Sequence, residues 1–210
     1  MVVELGLLLK RPTAWQIPTS ELLESVKEWI KETRPTCLLH PHGFYVLLLK
    51  RTVSEEWRLH LWPNGAREHT GMPARIHTHD RHVESRILKG SLVNIDYEAR
   101  EVAEGGNPLY LASYQGDKYA KATTNVLQKS TSRIQVDEKR RFELHADDHY
   151  RIERHAFHEA LVAIDQITVT LVCMHSPQAG PVMVVGTDGY PDQLAFERIE
   201  SKADVLLEQL

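Results

Sequence analysis

Gly71-Met-Pro-Ala-Arg75-Ile-His77-Thr-His79-Asp-Arg-His82-Val-Glu84-Ser-Arg-Ile-Leu-Lys-Gly90 is the stretch from which the fold of this chain can be read. His77 and His79 stand two residues apart, so on a strand both side chains leave the same face, their roots roughly 7 Å apart. That spacing lets two imidazoles reach one metal ion. Glycines frame the stretch, and Ile76, Val83, Ile87 and Leu88 surround the histidines, as a strand pair with a turn at each end requires. It reads as half of a metal site, and the other half must come from elsewhere in the chain.

Outward from this stretch, short strands follow one another. Residues 44–49 (Phe-Tyr-Val-Leu-Leu-Leu) form a continuous apolar run that suits a strand buried on both faces, and residues 56–62 alternate as a second strand ending before Pro63-Asn64-Gly65. After Gly90, residues 91–97 alternate again. Residues 109–114, 133–136 and 141–144 read as further short strands, with Lys139-Arg140-Arg141 as a solvated turn. Residues 149–158 read as strand, turn, strand; 161–174 is the most β-rich part of the chain; 181–185 is the last strand. Helical periodicity is confined to the ends. Leu22, Leu23, Val26, Trp29 and Ile30 recur at three- and four-residue steps over 19–33, with Thr19 or Ser20 as cap and Pro35 as stop. Leu194, Phe196, Ile199, Ala203, Leu206 and Leu207 suggest an amphipathic helix over 191–210. The expectation is one all-β domain over residues 1–210, a barrel or two-sheet jelly roll with its core at about 44–185 and a helical arm at each end.

The chain has 210 residues, a net charge of −4 and 26% charged residues, which gives no electrostatic case for nucleic-acid binding. Twelve histidines are the feature out of line, and many fall between His60 and His82 or between His145 and His158. Cys37 and Cys173 are far apart in sequence and in no metal-like spacing, so free thiols in a reducing cytoplasm are expected. The first residues lack the basic region and cleavage site of a signal peptide, and no apolar run approaches the ~20 residues of a membrane span.

The second half of the site falls at Ile152-Glu-Arg-His155-Ala-Phe-His158. This run resembles the second motif of the cupin family, in which a strand and a tight turn lead to a histidine. The family's first motif is a glycine, five residues, His-X-His, three or four residues, a glutamate, about six residues and a glycine; Gly71, His77, His79 and Gly90 fall into place. The resemblance covers about residues 44–185. It implies a double-stranded β-helix in which His77, His79 and His158 hold one metal inside the barrel. Glu84 is one position late counted back from Gly90, and period two then turns it to the opposite face; counted forward from His79 it keeps ligand spacing. A three-histidine site is favoured, and a four-ligand site with Glu84 stays open.

Three histidines without an acid resemble the cysteine dioxygenase branch of the family, the thiol dioxygenases. Leu59-His60-Leu61-Trp62 before the motif, Leu88-Lys89-Gly90 after it and Ser176-Pro177 ending the late strand agree with that branch. The branch's outer serine, histidine and tyrosine would fall near Leu171, Cys173 and His175, so only His175 stays polar, and its substrate-holding arginine has no match around Val46. The resemblance implies iron(II), with other divalent transition metals acceptable to imidazole, and a small polar substrate, thiol-bearing or not, with dioxygen as co-substrate. His175 is the candidate acid/base, and Arg75 and Arg58 are the cations to grip a substrate anion. Tyr150 and Trp62 read as packing, and the pair His40-Pro-His42, beside a proline, reads as a decoy and not as part of the site. The alternative class is a cupin without oxygen chemistry: an isomerase, a lyase or a small-ligand sensor. The closing segment with Leu206-Leu207 packs either on its own barrel or on a second copy as a homodimer.

Overall fold

The computed structural model describes residues 4–67, 75–114 and 124–210. Three helices come first: α1 (Leu5–Leu8), α2 (Thr13–Gln16) and α3 (Thr19–Thr33). Then follow β1 (Thr36–Leu39), β2 (Tyr45–Arg51), β3 (Glu55–Trp62), β4 (His82–Lys89), β5 (Ser91–Val102), β6 (Asn107–Tyr114) and β7 (Thr124–His145). The chain continues through β8 (His149–Ile152), β9 (Phe157–Leu161), β10 (Thr168–His175), β11 (Val182–Val185), β12 (Gln193–Glu197) and β13 (Ile199–Lys202). Two curled antiparallel sheets result. One runs β13-β1-β2-β3-β10-β4-β8; the other runs β11-β6-β7-β5-β9, with β12 paired to β7. The expectation of an all-β, barrel-like fold holds at this level.

Strand periodicity decides what each sheet residue does. On β3, Trp57, Leu59 and Leu61 point outward, and on β10 so do Leu171 and Cys173; all are fully buried under the N-terminal arm. Leu22, Val26 and Ile30 of α3 close over them with no exposed surface, each burial stabilising by about 1.5–3 kcal/mol before entropy is counted. The alternate residues Arg58, His60 and Trp62 of β3 and Thr170, Val172 and Met174 of β10 face an interior cavity instead. One face of the first sheet is thus core and the other is site.

Gly71 lies outside the described residues. Gly90 sits between β4 and β5 with φ +75°, and a Cβ there would overlap the Ile167 carbonyl oxygen and stand 2.7 Å from Thr168 Oγ1. The turn therefore needs glycine.

Several expectations are corrected. The closing segment is not a helix: Leu194 and Phe196, two residues apart, pack beside Tyr110 and Leu127 as β12, and Ile199–Lys202 pairs with β1. Only Ala203–Leu206 turns, as a 3₁₀ helix, and Ala203 and Leu206 bury against the chain's own core. Both strand partners offered free ladder edges, and pairing outweighed the helical spacing of the leucines. The strands expected at 133–136 and 141–144 are one strand, β7. Its basic run is not a turn: Arg140 and Arg141 stand opposite Asp96 and Ile95 of β5, Lys139 sits at a bulge in the ladder, and the three side chains pair with Asp96, Glu138 and Glu98 respectively. The run at 44–49 is buried at Val46 and Leu47 but half-exposed beyond. Neither Thr19 nor Ser20 caps α3, which starts after Pro18; the Thr19 hydroxyl accepts from Arg86 and donates to Asp147.

Candidate metal centre and its cavity

His77 and His79 lie on an extended segment lodged between two strands of the second sheet. The main chain of His77 exchanges both hydrogen bonds with His158 of β9, at 3.0 Å each, and bridges Val184 of β11 on its other side. Thr78 is fully buried and anchors the segment: its N–H donates to the Met183 carbonyl and its Oγ1 accepts from the Met183 N–H, both at 2.9 Å. With Thr78 turned into the wall, period two sends His77 and His79 into the cavity. The tight turn before β9, with His155 at φ +59°, brings His158 opposite, and the His155 N–H donates to the His79 carbonyl at 2.9 Å.

The three rings converge. His79 Nε2 and His158 Nε2 are 3.0 Å apart, and one ligand atom from each of His77, His79 and His158 lies within 4.8 Å of the others. Two nitrogens bound to one ion at about 2.0–2.1 Å stand about 3 Å apart when the bonds meet near a right angle, so the spacing fits a shared ion. Two tautomers are fixed for that task. His77 Nδ1–H donates to the Arg75 carbonyl at 2.7 Å, and His158 Nδ1–H donates to Asn94 Oδ1 at 3.1 Å, leaving each Nε2 lone pair aimed inward. Asn94 is itself oriented, its amide donating to Asp96 at 2.9 Å, and Asp96 pairs with Arg140 at 2.8 Å. Burial holds His158 well below its ordinary pKa, with His77 and His42 adding to the effect, and burial also lowers His77. Both are neutral near pH 7, the form in which an imidazole can hold a metal.

Arg58 and Arg75 line the same cavity of about 310 Å³, as do Arg67, His40, His42 and His60. Arg58 is buried and ion-paired with Glu56, and burial lowers its guanidinium to about 10. Among the described residues no carboxylate lines this cavity. His40 and His42 belong to the site region, contrary to the decoy reading: His40 stacks on Phe44 at 4.3 Å and the His42 ring is 5.9 Å from that of His77. Tyr150 also lines it, and burial pushes its phenol up to about 12, so it is neutral.

Glu84 and His175 are not brought to the histidines. Val83 faces the cavity, so Glu84 points to the other side of the sheet, where it accepts from Trp15 Nε1 at 3.0 Å and meets His175 Nε2 at 3.1 Å and Arg11 Nη1 at 3.4 Å. His175 shares that outer cluster, its pKa lowered by burial and then by Arg11, against the pull of Glu84. The cavity face of β10 carries Thr170, Val172 and Met174, not Leu171, Cys173 and His175. Asn94 and Arg67 were missed by sequence reasoning. Asn94 carried a usable signal, as a polar residue in an alternating strand that buries Leu92 and Ile95.

No helix among the described residues is long and apolar enough to cross a membrane. No protein-family model matches the chain, and no curated protein matches it either.

Proposed function

We propose that this protein is a metal-dependent enzyme of cupin type, a double-stranded β-helix in which His77, His79 and His158 hold iron(II) and a small anionic molecule is oxidised with dioxygen, in the manner of the thiol dioxygenases. The observation that carries the reading is the convergence of three inward-facing imidazoles in a cavity lined by arginines and free of carboxylates among the described residues. Three neutral ligands leave the charge of a divalent ion uncompensated, which favours an anionic substrate beside it. Iron(II), when bound, would supply the redox chemistry.

The chain's own residues supply the remainder. Asn94 and the Arg75 carbonyl hold the ligand tautomers. Phe44, Trp62 and Val162 give the cavity an apolar wall, and Arg67 and Arg75 draw in the anion. Outer-cluster residues Glu84 and His175 have no part in this reading beyond support of the fold.

A second reading, a cupin metalloprotein without oxygen chemistry, is favoured by one observation: β10 presents Thr170, Val172 and Met174 to the cavity, so that strand offers no acid/base group. Metal analysis of protein from its native host, followed by oxygen uptake with a panel of thiols and small acids, separates the two. Stoichiometric iron with uptake on any panel member supports the dioxygenase; stoichiometric metal without uptake supports the second reading; absence of metal overturns both.

A further inference from the structure

Three features of the cavity are unused by metal binding. First, His60 of β3 and Thr170 of β10 are directly opposite each other in the strand register and both line the cavity. His60 Nε2 and Thr170 Oγ1 are shut from solvent and, among the described residues, bond no protein group. Buried polar atoms are nearly always satisfied, and two unsatisfied atoms on facing residues of the cavity wall mark a place for a ligand's polar group. An imidazole nitrogen and a hydroxyl side by side suit a hydroxyl, which donates to one and accepts from the other.

Second, the wall beside this pair is aromatic. Phe44 and Trp62 stack with centroids 4.6 Å apart, and the His60 ring is 5.0 Å from Phe44 and 5.8 Å from Trp62. Such a wall favours a flat body over a branched one.

Third, Arg67 and Arg75 carry charge that nothing in the described cavity cancels. Arg67 donates to the carbonyls of Pro63, Val162 and Ala163 at 3.2, 2.8 and 2.6 Å, all neutral acceptors. Arg75 is exposed, with no ion pair among the described residues, and its charge helps lower the pKa of Arg67 after burial. Two unneutralised guanidiniums on one cavity call for an anion.

We propose that the cavity takes a small flat hydroxy acid, larger than an amino acid, with its planar body against Phe44 and Trp62, its hydroxyl shared by His60 and Thr170, and its carboxylate drawn by Arg67 and Arg75. A volume of about 310 Å³ lies at the lower end of small-molecule sites and suits roughly a dozen non-hydrogen atoms. This assignment rests on the cavity being the substrate site of the enzyme proposed above, and it is tested apart from the metal.

The test is calorimetric titration of the full chain, zinc-loaded and metal-free, with 3-(4-hydroxyphenyl)propanoate and 3-phenylpropanoate, which differ by one hydroxyl. The hydroxylated acid should bind about tenfold more tightly, since a buried site built for a hydroxyl rejects the analogue without it. That preference should fall to about threefold or less in Thr170→Val and His60→Phe, with zinc content unchanged. Equal binding of the two acids, binding of neither, or a preference that survives both substitutions overturns the proposal. A hydroxyl preference in a chain that takes no metal supports the hydroxy-acid site and defeats the metal reading. Zinc binding without that preference does the reverse.

Discussion

The Nε2 atoms of His79 and His158 face each other at 3.0 Å, brought together from positions 79 residues apart in the chain. The fold spends local structure on this meeting: a buried threonine between two histidines, a left-handed turn residue at His155, and a buried asparagine behind His158.

Asn94 holds the His158 tautomer, so Asn94→Leu should weaken metal affinity about 10–100-fold while leaving the far-ultraviolet circular dichroism unchanged. Competition against a chromophoric chelator measures it. Wild-type affinity in the variant would mean that His158 needs no orienting partner.

Glu84 belongs to the outer cluster, so Glu84→Gln should retain full metal stoichiometry. It should cost about 1–3 kcal/mol of stability, because Arg11 and His175 lose a charged partner and only the Trp15 bond is retained. Urea denaturation and metal analysis on the same preparation check both halves. Loss of metal with unchanged stability would restore the four-ligand site.

The metal-free chain should lose stability as pH falls below about 6.5. Burial holds His40 and His60 well below their ordinary values, helped by His42 and Arg198 for His40 and by Arg58 for His60. Below the unfolded pKa the unfolded chain binds protons that the folded chain refuses, so stability is full above that point and declines with acid, by about 1.4 kcal/mol per pH unit for each such group. Melting temperatures from pH 7.5 to 5.5 should fall in wild type and fall less steeply in His60→Phe. Parallel profiles would contradict the assignment.

Gly90→Ala should destabilise the chain by several kcal/mol, roughly 2–4, since the new Cβ meets the Ile167 carbonyl and Thr168 at positive φ. A denaturation midpoint unchanged from wild type would show that the β4–β5 turn can relax.

Much of the site was legible in the sequence because its signals are short-range. The His77/His79 pair, the strand and turn leading to His158, and Gly90 each fit within a window of about twenty residues. Parity on β3 groups Arg58 with His60 and Trp62, which line the cavity together, and parity on β4 turns Glu84 away. Illegible parts depend on contacts between distant segments. Nothing local says that residues 193–197 and 199–202 will find open edges at β7 and β1, so their leucine and phenylalanine spacing reads as helix. His40-Pro-His42 reads as a decoy pair until β1 and β2 set it beside His77. On β10 every residue from Thr168 to His175 is buried, so periodicity carries no inside or outside, and the cavity-facing set cannot be told from the core-facing one.

The most direct measurement is metal content of the purified chain and its His77→Ala and His158→Ala variants after loading with iron(II) under anaerobic conditions and removal of excess. One ion per chain in wild type and about none in either variant, with both variants still folded, is the result expected from a site made by His77, His79 and His158. Stoichiometric metal in either folded variant, or none in wild type, would contradict it.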